Sequence, residues 1–169
     1  AGLKTKINTV ILPSGREDWK ELAGLAKQGT DVRFIELMPV GAGAALERVA
    51  YHEVLSTLKQ YWPDLHPVEE IRGNGPAQYW GSQELTGRIG FIHAVSDRFC
   101  DRCNRVRLTA AGFLKPCLCY EQGVELRHML RDGYSDEMLR NCMEEVIREK
   151  PRAHCFERQE GISESRNMH

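Results

Sequence analysis

Four of the chain's six cysteines, Cys100, Cys103, Cys117 and Cys119, fall within 20 residues, and no other feature narrows the choice of fold so much. A Cys-x2-Cys pair lets two thiolates reach one metal centre from a single tight turn, and Cys117 returns after thirteen intervening residues. Three or four thiolates so arranged suit zinc or an iron–sulfur cluster, since both take soft sulfur ligands. Four independent core cysteines are the structural alternative. A disulfide framework is the habit of secreted chains. No signal-peptide pattern opens this one, and no apolar run nears the ~20 residues that span a bilayer. The expectation is a cytoplasmic protein with a metal or cluster site and no membrane partner.

The 169 residues match about one domain, and 41% hydrophobic with 28% charged residues is enough to bury a core. Lysine and arginine total 23 against 24 acidic residues, a net charge of -1. That balance speaks against a nucleic-acid coat or an anionic-membrane binder, both of which need a strong positive field. The total hides a local basic stretch, in which Arg98, Arg102, Arg105 and Arg107 stand against Asp97 and Asp101.

The first sixty residues alternate between two textures. Thr5 to Leu12 and Asp31 to Met38 read as strands, each followed by a Pro/Gly stop. Arg16 to Lys27 and Tyr51 to Tyr61 carry apolar residues at helical spacing. Such alternation predicts βαβ units and a parallel sheet. After Pro63, short strands are expected over 66–72, 77–80 and 87–95, then a hairpin of 105–109 and 113–117 turning at Gly112. Val124 to Arg131 reads as a short helix. Ser135 caps a longer one, with Asp136 and Glu137 in its first turn, Arg148 and Lys150 near its end and Pro151 as the stop. The fold class expected is α/β, with a boundary between 1–62 and 63–169.

Within the hairpin, period-two spacing puts Arg105, Arg107 and Thr109 on one strand face and Val106 and Leu108 on the other. Two guanidiniums side by side call for an anionic partner, or else are two solvated arginines. In the strands, Lys6 and Asn8 share a face, as do Glu36 and Met38. Polar groups repeated on one face of a parallel strand line a barrel interior or its mouth.

The segment Phe-Cys-x2-Cys-Asn-Arg-x-Arg-Leu-Thr at residues 99–109, with Leu-Lys-x-Cys-Leu at 114–118, resembles the C-terminal cluster motif of the radical-SAM GTP 3′,8-cyclases of molybdenum cofactor synthesis. The resemblance continues upstream in Lys6-Ile7-Asn8-Thr9-Val10, Arg33-Phe34-Ile35-Glu36-Leu37-Met38-Pro39, Gly75-Pro76-Ala77 and Gly87-Arg88-Ile89-Gly90-Phe91-Ile92. Downstream it includes Val124-Glu125-Leu126-Arg127 and Lys150-Pro151.

The resemblance implies a 4Fe–4S cluster on Cys100, Cys103 and Cys117, with one iron left open for the GTP base. It implies that Arg105 and Arg107 contact GTP as catalytic residues, that Lys6 also contacts GTP, and that Met38 lies against S-adenosyl-L-methionine. The implied reaction is one in which a radical abstracts hydrogen from the GTP ribose and the sugar carbon attacks the guanine, giving a cyclic pyranopterin precursor. The implied fold is the end of a partial (β/α) barrel followed by a small α+β cluster domain. GTP is the implied partner, with a downstream cyclic pyranopterin synthase and, as an open expectation, a second copy of the chain; nucleic acid is not.

A radical-SAM enzyme also needs a Cys-x3-Cys-x2-Cys motif for a second cluster, and none occurs in these 169 residues. The chain is thus expected to be a C-terminal portion, inactive by itself. In the competing reading, Cys100, Cys103, Cys117 and Cys119 hold structural zinc and the arginines contact phosphate or RNA. The cyclase reading leaves Cys119 as a spare thiol near the site. Cys142 falls on an apolar helix stripe with Met138, Leu139, Met143, Val146 and Ile147 and reads as helix core. His154 with Cys155 reads as an incidental pair, and His93 and His128 as satisfied structural histidines.

Overall fold

In the computed structural model, which describes residues 3–69, 73–97 and 99–156, the expected strand–helix alternation is present from the start. Lys6–Ile11 forms β1. Pro13 opens a 3₁₀ turn over Pro13–Asp18 that delays helix α1 to Trp19–Gly24, and a second 3₁₀ turn covers Leu25–Gln28. Gly29, at φ 82°, takes the left-handed conformation that ends it, which suits a residue without Cβ. Next come β2 (Asp31–Glu36) and α2 (Tyr51–Tyr61).

Three further strands, β3 (His66–Val68), β4 (Gln78–Gly81) and β5 (Ile89–Ile92), complete a five-stranded sheet of order β1-β2-β5-β4-β3. β1, β2 and β5 run parallel, while β4 and β3 are antiparallel to their neighbours. β5 sits beside β2 because its four residues are all buried, as a central parallel strand requires. Phe34 and Phe91, paired in register, stack at 5.8 Å between ring centroids. Around them pack Trp19 and Ala23 of α1 and Val54, Leu55 and Leu58 of α2. The fold is mixed α/β.

The chain divides into two compact units, residues 1–99 and 100–169. β3, β4 and β5, which follow residue 62, belong to the same sheet as β1 and β2.

The second unit opens with a 3₁₀ turn over Cys100–Arg102. Strands β6 (Arg107–Leu108), β7 (Phe113–Lys115) and β8 (Val124–Glu125) form a small antiparallel sheet in sequence order. The hairpin turns at Gly112, at φ 84°, with its amide bonded to the Thr109 carbonyl. β8 takes the first two residues of the helix expected from Val124, leaving α3 as Leu126–Arg131. Helix α4 (Asp136–Arg148) begins as expected, the Ser135 side chain accepting from the Met138 amide.

Three expectations fail here for one reason: strands of two and three residues offer little surface to pack on. Val106 and Leu108 stay 40% and 64% exposed instead of covering the far face of a strand. The apolar stripe of α4 buries no residue, and Cys142 is only half-buried. His128 is exposed. Among the described residues, no helix is long and apolar enough to cross a membrane. Arg98, the last three residues of the strand expected over 66–72, and residues 157–169 lie outside the described residues.

Candidate functional site

Cys100 and Cys103 occupy one turn, closed by a bond from the Cys103 amide to the Cys100 carbonyl at 3.2 Å. Cys117 follows two residues after β7, beyond Pro116. All three are half-buried and free of disulfides. Among the described residues, no three His, Cys, Asp or Glu side chains converge closely enough to hold a single metal ion.

Cys119 is not a spare thiol. It is joined by a disulfide to Cys155, with Cα atoms 6.0 Å apart, and the Tyr120 hydroxyl donates to the Ala153 carbonyl at 3.0 Å beside it. With Cys155 spent in this bond, His154 and Cys155 are not a ligand pair. Bound to each other, these two sulfurs offer no thiolate, so a closed four-thiolate zinc site that includes Cys119 has no fourth ligand. The sequence could not show this, because connectivity does not follow from cysteine positions alone.

Arg105 and Arg107 flank the entry to β6 and both are exposed. β6 begins only at Arg107, so Arg105 lies outside the strand that was expected to align the two on one face. The backbone at Arg105 is held instead: Lys150, just past α4, donates from Nζ to the Arg105 carbonyl at 2.8 Å. The same ammonium reaches the Cys103 carbonyl at 2.7 Å and Cys103 Sγ at 3.3 Å. In the sequence Lys150 read as a basic residue near a helix end and, with Pro151, as part of the family resemblance. Its return to the cysteine loop across 47 positions leaves no local signal.

In the first unit, Lys6 and Met38 are not brought together. Lys6 pairs with Asp31 at the start of the parallel strands, while Met38 lies two residues beyond the end of β2. At about 3.3 Å per residue, roughly 20 Å of strand separates the two levels. Lys6 Nζ lies 3.5 Å from the Tyr79 hydroxyl and 3.9 Å from an Asp31 carboxylate oxygen.

Glu36, at the carboxyl end of β2, is held by four hydrogen bonds. It accepts from the amides of Tyr51, Val95 and Ser96 at 3.1, 3.1 and 3.0 Å, and from the Ser96 hydroxyl. Burial pushes its carboxyl up. The Ser96 hydroxyl and the three amides together outweigh burial and hold it below the ordinary value of 4.5. Glu36 borders a cavity of about 200 Å³ lined also by Leu37, Arg48, Val49 and Ser96. The carboxyl ends of parallel strands are where α/β sheets place ligands. The shared face of Glu36 and Met38 was the sequence signal for this end of the sheet. His93, just past β5, is only half satisfied. Its Nδ1 is 2.9 Å from the Asp97 carbonyl, and its buried Nε2 has no hydrogen-bond partner among the described residues.

Residues 30–156 match the family described as Molybdenum Cofactor Synthesis C. The chain is 43% identical over 169 residues to a GTP 3′,8-cyclase of Clostridium perfringens (strain SM101 / Type A), covering 99% of this chain and 52% of that protein. It is 40% identical over 162 residues to the GTP 3′,8-cyclase of Paracoccus denitrificans (93% and 47% covered). The corresponding protein of Pelotomaculum thermopropionicum is 38% identical over 162 residues (91% and 49% covered). The chain thus spans about half the length of the curated relatives it matches.

Proposed function

Since the chain belongs to the Molybdenum Cofactor Synthesis C family, we propose that it is the substrate-side portion of a GTP 3′,8-cyclase, a lyase that makes 3′,8-cyclo-7,8-dihydro-GTP by radical S-adenosyl-L-methionine chemistry. The observation that carries this reading is the division of labour among the cysteines. Cys119 and Cys155 are committed to each other, while Cys100, Cys103 and Cys117 remain free on one turn and one hairpin. Three thiols and no closed fourth position form a donor set that fits a 4Fe–4S cluster better than structural zinc. A single ion draws its ligands to about 2.3 Å of one point. A four-iron cluster assigns each thiolate its own iron and needs no such convergence.

When bound, the cluster would supply one iron without a protein ligand, at which a guanine base could be held. Arg105 and Arg107, exposed beside the cysteine turn, would meet the anionic and acceptor-rich parts of GTP. Arginine suits that task because it stays charged and does not compete for protons. Lys6 is the third GTP-contacting residue of this reading, and Met38 borders the S-adenosyl-L-methionine site. The Cys-x3-Cys-x2-Cys motif for a second cluster is not among these residues, so turnover is assigned to a longer protein and not to this chain alone. In this reading residues 1–62 are the last βα units of a partial (β/α) barrel, and the segment from residue 63 leads into its iron–sulfur domain. A cyclic pyranopterin synthase would take up the product, and a homodimer remains part of the proposal.

Anaerobic reconstitution with metal analysis tests this. About four irons with matching sulfide per chain are expected, lost in Cys103→Ser and Cys117→Ser and kept in Cys119→Ser. A single zinc held only while Cys119 is present would overturn the reading in favour of a phosphate- or RNA-binding module.

A further inference from the structure

Lys150 has no part in the reading so far, yet its ammonium ends among three acceptors supplied by one loop. These are the Cys103 carbonyl at 2.7 Å, the Arg105 carbonyl at 2.8 Å and Cys103 Sγ at 3.3 Å. An ammonium carries three donors and no acceptor. The set is therefore complete, with one acceptor for each N–H.

The two carbonyl contacts have a structural use. Residues 103–106 belong to no helix or strand, and the lysine ties them to the end of α4. The third contact differs in kind. Thiol sulfur is a weak acceptor, whereas a thiolate attracts a cation strongly, so a bond from an ammonium gains most when Cys103 is ionised, as a metal ligand must be. Hydrogen bonds to ligand sulfurs are also one of the means by which a protein sets a cluster's reduction potential. The lysine is held from its other side as well. Pro151 follows it, the Ala153 carbonyl accepts from Tyr120, and Cys155 is joined to Cys119, so the segment after α4 is fastened at points on the β7–β8 connection.

We propose that Lys150 is a positioning residue for the cluster site: its N–H···S bond to Cys103 stabilises the one-electron-reduced cluster, and its bond to the Arg105 carbonyl fixes where that guanidinium starts. The inference rests on Cys103 being a cluster ligand. Reduction of a bound cluster by an external one-electron donor, dithionite in the test below, would add one negative charge, with no proton transferred. A fixed positive charge 3.3 Å from a ligand sulfur favours the more negative state. Lysine suits this loop because its three donors diverge, whereas a planar guanidinium fork would not serve two carbonyls and a sulfur equally.

The test uses the 169-residue chain, in which this would be the sole cluster, reconstituted anaerobically and titrated with dithionite while the reduced cluster is followed by electron paramagnetic resonance. Lys150→Met is expected to move the reduction equilibrium about tenfold toward the oxidised form, 59 mV downward for a one-electron couple. Lys150→Gln, which can still serve a carbonyl but is uncharged, is expected to shift in the same direction. Lys150→Arg is expected to return to within about threefold of the parent. An unchanged equilibrium in both neutral variants overturns the proposal and leaves the cluster reading intact. A parent chain that takes up no iron overturns both. Loss of the cluster from both neutral variants at an unchanged far-ultraviolet circular dichroism spectrum, with Lys150→Arg retaining it, supports the proposal. Loss of the helical signal along with the cluster makes Lys150 a residue of the fold alone and overturns it.

Discussion

In residues 1–99 the sheet buries Ile11, Val32, Phe34, Ile89 and Phe91 completely, whereas α4, the longest helix among the described residues of the second unit, buries none of its side chains. The first unit owes its order to apolar area removed from water, a force set by the solvent. Among its described residues the second buries the hydrophobic side chains Leu114, Cys119, Leu126 and Phe156, and it depends on point ties: a disulfide, a lysine clamp and a tyrosine–carbonyl bond. Small domains without a sufficient core commonly need such staples. The difference matters for function, because ties respond to redox state and bound metal while a core does not. The proposed cluster ligands, Cys100, Cys103 and Cys117, all sit in that second unit.

The two units can be read separately. All three tryptophans, Trp19, Trp62 and Trp80, precede residue 100, and all six cysteines lie at or after it. Tryptophan fluorescence therefore follows the first unit and thiol alkylation the second. The largest effect is expected for Phe91→Ala, which empties a site stacked on Phe34 and touching Tyr51. About 3–5 kcal/mol should be lost from the tryptophan-monitored urea transition. A loss under 1 kcal/mol would mean that the first unit does not depend on its core.

Next in size is the disulfide. Cys119→Ser with Cys155→Ser opens a link across 36 residues, worth about 3–4 kcal/mol by loop entropy. The alkylation midpoint of Cys142 should fall by that amount. A reductant added to the parent chain should do the same and leave the tryptophan transition in place. If the reductant moves the tryptophan signal instead, the contrast between the units fails.

How much of this was legible before the structure follows the same division. The βαβ pattern could be read because β2 and α2 carry their periods in their own residues, and α2 runs over the expected Tyr51–Tyr61. The Cys-x2-Cys turn and the Ser135 cap were readable for the same reason. What escaped depended on partners distant in sequence. The stripe on α4 has the right period, but burial needs a surface to meet it. The Cys119–Cys155 link and the Lys150 clamp join positions 36 and 47 residues apart. Glu36 gave only a hint, since three of its donors are backbone amides that no side chain announces.

Glu36 gives a third prediction with a pH signature. Its folded carboxyl is held below 4.5, so the unfolded chain takes up a proton first as pH falls. The stabilisation is present above about pH 4.5 and disappears as pH falls through the lower folded value. Glu36→Gln should cost about 2 kcal/mol near neutral pH, the scale of hydrogen bonds to a charged group. It should also flatten the acid side of the tryptophan-monitored stability profile. A variant as acid-sensitive as the parent would show that some other carboxylate governs that limb.

The smallest expected effect is the sharpest test of the contrast. Read as core, Ile147 on the α4 stripe should cost about 2–5 kcal/mol when cut back to alanine. It is 48% exposed, and its helix buries no side chain. Little hydrophobic transfer energy is therefore at stake, and alanine is the better helix former by a few tenths of a kcal/mol. The two small terms oppose each other. Ile147→Ala should leave the alkylation-monitored midpoint within about 0.5 kcal/mol of the parent. A loss near the core value would mean that α4 is covered in solution, and that the second unit has a core after all.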